Sequence, residues 1–347
     1  MRIFVTGGTG LVGSHAIERF TALGHDVVAL ARTERGRHFV RELGATPAAG
    51  CVELADDWQS AAGADVILHA AAIVTDPTGW DRYQRINVQG TLHAVRAAAE
   101  SGSRLLHVSS VAVYGRRPEA GATARVAEDT RFGPIAEADY YARSKREAEA
   151  ALWSEAERRG VSAVAVRPCV IYGERERLFM SRLLRLLRHG IAPLVGSGDN
   201  TLAMVYVGNV VDALECAVRH PGITGPFNTA NDGGFTQREL YQIIGEALGR
   251  RMRLVRIPEP VAISAGTAWQ IACRLLRPGR YTGLGSSSGR FLARDNPYDS
   301  GRATRELGWR PRADPQAALR RSVEWFLTHG ASGGGRATPA CATRPQS

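Results

Sequence analysis

Short apolar runs alternate with helical periodicity through the first half of the chain. RIFVTG (2–7), DVVALA (26–31), ADVILHAA (64–71), RLLHVSS (104–110) and SAVAVRP (162–168) have strand length and apolar centres, and a less regular run near TPAAGCVEL (46–54) supplies a further strand. Continuous apolar runs belong to strands buried on both faces rather than to half-exposed ones. Between them lie amphipathic stretches, notably 81–101 and 140–159. This alternation predicts an α/β fold of the Rossmann type, a doubly wound parallel sheet with helices on both faces.

After Pro168 the rhythm loosens. Helical patterns recur around 178–189, 209–219, 236–248 and 315–327, with short extended pieces between. The reading is a dinucleotide-binding domain over 1–170, then a smaller, mainly substrate-binding lobe over 171–330 with some segments returning to the sheet. A small, polar tail over 331–347 is expected to be disordered. VAISAGTAWQIACRLL (261–276) is apolar and followed by Arg277 and Arg280. It reads as a buried or substrate-covering helix, with peripheral docking on a lipid surface as the alternative.

Charge and composition narrow the picture further. The net charge is +10, yet the arginines are scattered along the sequence, clusters such as GRRMR (249–253) are short, and aromatics are not interleaved with them. A solvated surface without nucleic-acid binding is expected. The five cysteines form no CxxC pair and no metal-type spacing, the nine histidines form no HExxH, and no metal site is predicted. Thiols read as reduced, no signal-peptide pattern at the start and no apolar run of about 20 residues together give a cytoplasmic expectation.

VTGGTGLVGSH (5–15) places Gly7, Gly10 and Gly13 between the first strand and a helix expected to end at Leu23 before Gly24. Glycines let the backbone approach a pyrophosphate while the helix N-terminus presents free amides and partial positive charge. A dinucleotide is therefore expected. An acid at the end of the second strand would suit the ribose hydroxyl of NAD, and an arginine the extra phosphate of NADP. VALARTER (28–35) has Ala31 where the acid would sit, then Arg32 and Arg35. This favours NADP(H), with NAD remaining open.

YARSK (141–145) holds the only lysine of the chain. Tyr141 and Lys145 are four apart in a helical pattern and share a face. An ordinary phenol, with a pKa of about 10, exchanges protons poorly at neutral pH, and a nearby cation favours its ionised form. An ammonium and a guanidinium are not interchangeable in such a role. Tyr140 has Ser144 four residues on and is the weaker candidate.

With these motifs in hand, the chain resembles the extended short-chain dehydrogenase/reductases. TGGTGLVG, HAAA (69–72), NVQGT (87–91), VSSVAVYG (108–115), YARSK and RPCVIYG (167–173) follow in the family's order. The resemblance implies Tyr141 as general acid/base, Lys145 as its partner and ribose anchor, and Ser110 as hydrogen-bond donor to the reacting oxygen, with Ser109 closing the strand. Asn87 is implied either in a proton relay or as a buried, helix-positioning residue. Cofactor contacts are implied for Gly7, Thr9, Gly10, Leu11, Gly13, Arg32, Ala70, Ala71, Tyr141, Lys145, Pro168 and Val170.

Val111 and Ala112 stand where the family's nucleotide-sugar dehydratases carry Asp-Glu, so dehydration is not expected. MVYVGNVVDA (204–213), with Asn209, and the segment 290–311 are similar to the branch of 3β-hydroxysteroid dehydrogenases, sterol-4α-carboxylate 3-dehydrogenases and 2-alkyl-3-oxoalkanoate reductases. That branch implies a hydrophobic small-molecule substrate, and the family allows a homodimer through 81–101 and 140–159. The alternatives are a nucleotide-sugar 4-epimerase with tightly held NAD and a non-catalytic NADP(H) sensor.

Overall fold

The computed structural model describes residues 1–76, 78–116, 125–276 and 291–329, with the backbone alone over 269–276. Seven parallel strands make the central sheet. They are β1 (Arg2–Thr6), β2 (Asp26–Ala31), β3 (Thr46–Ala49), β4 (Val66–His69), β5 (Arg104–Val108), β6 (Ala163–Arg167) and, after an excursion described below, β10 (Gly225–Asn228). Their order is β10-β6-β5-β4-β1-β2-β3. The order reverses direction at β1, and the crevice at the carboxyl ends of β1 and β4 is where such sheets bind ligands.

The helices between these strands are α1 (Leu11–Ala22), α2 (Glu34–Glu42), α3 (Trp80–Tyr83), α4 (Gly90–Ser101) and α5 (Tyr140–Arg159). Successive β1 residues feed opposite cores: Ile3 and Val5 pack with α1, whereas Phe4 packs with the α4 and α5 side. This is the period-2 consequence of a strand covered on both faces. Each fully buried side chain of this size contributes about 1.5–3 kcal/mol relative to exposure.

The excursion from the sheet comprises β7 (Val170–Tyr172), α6 (Met180–Leu187), β8 (Ile191–Val195), β9 (Met204–Tyr206) and α7 (Val207–Arg219). After β10 come α8 (Gln237–Ala247), β11 (Arg253–Ile257) and α9 (Glu259–Leu276), then helices Gly301–Glu306 and Pro315–His329. β7 pairs with β9, and β8 with β11, as two small parallel ribbons.

Several local expectations are corrected by the structure. The helical stretch 81–101 is interrupted by a π-helical segment over Gln84–Gln89, a distortion that periodicity cannot reveal because it inserts one residue per turn. Residues 259–268 of α9 are all exposed or half-buried, so of the two readings, buried or substrate-covering, the described side chains exclude the buried one. The small alanine, serine and glycine side chains of α9 give a neighbouring element little to pack against. Cys169 and Cys216 are free thiols, whereas Cys51 is disulfide-bonded. Sequence spacing alone does not show such a pairing. No helix among the described residues is long and apolar enough to cross a membrane, and no group of possible metal ligands occurs among them. The tail expected over 331–347 lies outside the described residues.

Candidate active site at the ends of the central strands

The turn after β1 is closed by backbone approach on two sides. Gly7 has φ +73°, and a Cβ there would lie 2.6 Å from the carbonyl carbon of Ala70 and the nitrogen of Ala71. A Cβ on Gly13 would lie 2.3 Å from the Gly7 oxygen. The two glycines therefore let α1 and the β4 end close on the same turn. Gly10, whose N–H donates to the Gly7 oxygen at 2.8 Å, precedes α1 without a side-chain cap, and the first turn of α1 contains no acid. Free amides and an uncompensated helix dipole make an anion site. The residues present thus fit the pyrophosphate of a dinucleotide. Thr9 sits beside Gly36 at the start of α2, Leu11 is half-buried at the start of α1, and Arg32 is exposed directly after Ala31. Desolvation of the covered part of its side chain lowers the Arg32 pKa, with Glu53 opposing the shift and Arg82 reinforcing it.

A second group of residues joins the end of β5 to the first turns of α5. Asp139 caps α5 by accepting from the Ala142 N–H at 3.1 Å. Lys145 is buried and its ammonium donates to the Val108 oxygen at 2.8 Å. Two residues beyond Val108, the Ser110 hydroxyl lies close enough to the Tyr141 phenol to act on its pKa. Burial raises the Tyr141 pKa and the Ser110 hydroxyl works against it. Thus the lowering expected from Lys145 is not what this geometry gives: the ammonium is held by a main-chain carbonyl, and burial dominates at the phenol. Burial in turn brings Lys145 down to about 8, with the Glu149 carboxylate opposing the shift.

Asn87 lies in the π-helical segment and is buried. Its amide accepts from the Ile73 N–H at 2.9 Å and donates to the Ile73 oxygen at 3.0 Å and to Ser144 Oγ at 2.9 Å. All three contacts are positional: they tie the loop after β4 to α5. Pro168 accepts from the Val111 N–H at 3.0 Å, which fixes the segment after β6 beside Ser110. The side chains of Val74, Phe132 and Val170, on the segments that follow β4, β5 and β6, are 39–41 % exposed.

Beneath the site runs a buried polar network that the sequence patterns did not single out. Ser109 donates to Glu149, and the Arg167 Nε donates to Glu149 Oε1 at 3.0 Å. Arg167 Nη1 reaches the Tyr114 hydroxyl at 2.8 Å, which donates to Asn228 Oδ1 at 2.8 Å. Tyr141, Lys145 and Glu149 form one stripe at four-residue spacing, so continuing the Tyr-Lys pattern by one turn was the available signal. The network also fixes Ser109, whose expected role was to close the strand.

Two buried histidines complete the surroundings of Lys145. His69 and His107 are stacked with ring centroids 5.4 Å apart. His69 Nδ1 is 2.8 Å from the Thr6 hydroxyl, while His69 Nε2 and both His107 nitrogens have no hydrogen-bond partner among the described residues. Burial, reinforced by the Lys145 charge, takes His69 down to about 3 and His107 well below its ordinary value. Both rings are neutral at physiological pH.

Residues 3–230 match the model of the NAD dependent epimerase/dehydratase family. Over 92% of this chain and 95% of its own length, the 4-hydroxy-2-methyl-3-oxo-4-farnesyl-3,4-dihydroquinoline-1-oxide ketoreductase of Stigmatella aurantiaca is 29% identical. The 3-beta-hydroxysteroid dehydrogenase of Mycolicibacterium neoaurum is 26% identical, with 100% of this chain and 97% of the relative covered. Among solved structures, the Bordetella bronchiseptica enzyme WbmG in complex with NAD has the same fold, with a TM-score of 0.71 and 21% identity over 95% of each chain.

Proposed function

Because the chain belongs to the NAD dependent epimerase/dehydratase family, an enzyme family of nicotinamide-dependent chemistry, we propose that it interconverts a secondary alcohol and a ketone on a hydrophobic substrate. The observation that carries this reading is the junction of β5 and α5, where the Ser110 hydroxyl meets the Tyr141 phenol and Lys145 is buried one turn further on. A bound nicotinamide cofactor supplies or accepts the hydride. Tyr141 gives its phenolic proton to the substrate oxygen in reduction and takes it back in oxidation. Ser110 donates a hydrogen bond to that oxygen as negative charge develops on it. Lys145, one turn beyond Tyr141 and held by the Val108 oxygen, would contribute positive charge and anchor the ribose of a bound cofactor, while Asn87 positions α5. The glycine turn with Ala70 and Ala71 holds the pyrophosphate.

The substrate class is supported by the exposed apolar side chains of Val74 and Val170, on the segments that follow β4 and β6, and by the two relatives, whose names describe a ketoreductase on a farnesylated ring and a steroid dehydrogenase. For the cofactor we favour NADP(H) over NAD, since Arg32 follows Ala31 where an acid would otherwise stand. Absorbance assays with NADPH and NADH, run on sterols, long-chain 3-oxo acids and UDP-sugars, test both points. Turnover of the apolar ketones with NADPH is expected. Activity confined to UDP-sugars, with copurifying NAD and no net cofactor turnover, would replace this reading by a 4-epimerase.

A further inference from the structure

Many arginines of this protein are paired with acids. Arg19, Arg37, Arg158, Arg167, Arg175 and Arg312 all sit within 3.0 Å of a carboxylate. Others have no carboxylate within ion-pair distance among the described residues, and seven of these are gathered in one region. Arg182, Arg185 and Arg188 lie on or just beyond α6, and Arg250, Arg251 and Arg253 lead into β11, followed by Arg256. All seven are exposed, and none has a carboxylate within ion-pair distance among the described residues. Neither segment, 182–191 nor 249–258, contains an acid.

The fold brings the two segments together although some 60 residues separate them in sequence. Arg253 pairs in register with Ile191 in the β8-β11 ribbon, and its N–H donates to the Gly190 oxygen at 2.7 Å. Arg250 Nη1 reaches the Arg188 oxygen at 2.5 Å. On α6, Arg182, Arg185 and Leu186 share one helical face, opposite the buried Met180, Leu184 and Leu187. Residues 253–256 of β11 are exposed on both faces of the ribbon, so this strand stands out as a rim.

Apolar side chains are interspersed with the charges. Leu186, Ile191, Val255 and Val261 are 43–54 % exposed. An open groove of about 670 Å³ beside β11 is lined by Arg238, Glu246, Arg250, Arg251, Met252 and Leu254. Two of these charges are engaged elsewhere, Arg238 with Asp199 at 2.7 Å and Glu246 with Arg320 at 3.8 Å.

We infer that this face docks on an anionic lipid bilayer. Unpaired guanidinium groups attract acidic headgroups, and aliphatic side chains standing among them enter the acyl boundary. Nucleic acid fits less well, because neither segment offers a Phe, Tyr or Trp on which a base stacks. A second copy of the chain through the same face would set like charges against one another. The net charge read as dispersed in the sequence is thus locally concentrated by the β8-β11 pairing. The inference does not depend on the catalytic reading, although a bilayer-docked enzyme would have apolar substrates at hand.

The test uses the full-length protein and sedimentation with vesicles of phosphatidylcholine, alone or with about 30% phosphatidylglycerol. Binding is expected only to the anionic vesicles and should weaken as salt rises. Each arginine near the surface contributes about 1 kcal/mol, or roughly fivefold, so Arg250→Gln/Arg251→Gln/Arg253→Gln should bind about 100-fold more weakly. Leu254→Ser/Val255→Ser should also bind more weakly. Thermal unfolding and NADPH binding, measured in parallel, should match the unsubstituted protein in both variants. Equal partition onto neutral vesicles, or unchanged binding by the triple variant, would overturn the inference. So would unchanged vesicle binding by the serine variant with RNA as an effective competitor, which would mark a general polyanion site. Self-association of the protein that disappears in the triple variant would instead mark a dimer interface and overturn it as well.

Discussion

The ammonium of Lys145 donates to the main-chain oxygen of Val108 at 2.8 Å and thereby fastens the second turn of α5 to the last residue of β5. The lysine is almost wholly buried, and burial brings its pKa to about 8. A guanidinium keeps its charge to far higher pH and spreads its donors over a planar fork, so it cannot occupy the same point contact. Lys145→Arg should fold, yet lose roughly 10²–10⁴-fold in kcat/KM, the range of a lost acid/base contribution. Initial rates together with a thermal melt decide this, and a fully active arginine variant would remove Lys145 from the mechanism.

Ser110 and Tyr141 are neighbours whose electrostatics are coupled, but they have different assigned roles. Tyr141→Phe removes the proton donor and should lower kcat by about 10²–10⁴-fold. Ser110→Ala removes one donor to the developing alkoxide and should cost about 10²–10³-fold. Fluorescence titration with NADPH should show nearly unchanged cofactor affinity in both variants. A Tyr141→Phe protein with normal turnover would show that the phenol is not the acid/base.

How much of this was legible in the sequence follows from how local each feature is. The strands, the glycine turn and the Tyr-Lys pair depend on runs or spacings within about ten residues, which pattern reading resolves. The close approach of Gly7 to Ala70 needs the β1-β4 adjacency, and HAAA alone does not show it. Glu149, Arg167 and Asn228 meet only because β5, β6 and β10 lie side by side. His69 and His107 likewise face each other through the register of β4 and β5, in which they are directly paired. Arg253 and Ile191 illustrate the same limit on the surface, since charges dispersed along the chain were gathered by a strand pairing.

The pH dependence has two separate origins. Lys145, at about 8, loses its proton well below the ordinary 10.5, so activity that needs its charge should fall above about pH 8. For stability the sign is opposite. Between about pH 8 and 10.5 the unfolded chain binds the proton that the folded protein has released, so this group favours folding increasingly as pH rises. His69 acts on the acid side. Its folded pKa of about 3 lies below the ordinary 6.5, so the unfolded state takes up a proton first and stability declines as pH falls from about 6.5 toward 3. Urea unfolding at pH 7 and pH 4.5 should show a smaller acid loss in His69→Gln than in the unsubstituted protein. An equal loss would exclude His69 as a source of the acid sensitivity.

The glycine turn makes a steric prediction. A methyl group on Gly13 would lie 2.3 Å from the Gly7 oxygen, and neither backbone has room to retreat while α1 stays packed on β1. Gly13→Ala should therefore displace the start of α1 and weaken NADPH binding at least about tenfold, or about 1.4 kcal/mol. Gly24→Ala serves as comparison, since a Cβ there meets nothing within 4 Å although its φ of +79° imposes a local strain. Gly24→Ala should lose some thermal stability and keep its cofactor affinity. Isothermal titration with NADPH separates the two effects, and equal affinity in both variants would contradict the close-approach role of Gly13.

The buried pair of Glu149 and Arg167 links stability to the charge state of the site. Both side chains are about 4 % exposed, and Glu149 also accepts from Ser109 and lies one turn beyond Lys145. Arg167→Met leaves the Glu149 carboxylate without its main partner in a low-dielectric interior, which typically costs about 3–5 kcal/mol. Glu149→Gln is expected to reach further. Its carboxylate is the group that raises the Lys145 pKa against burial. Without it, the alkaline limb of the rate profile should move to lower pH, because the ammonium has lost its nearest compensating charge. A purely structural role would lower the melting temperature and leave that limb in place, so the pH-rate profile of Glu149→Gln distinguishes a carboxylate that tunes Lys145 from one that only holds β6 to α5.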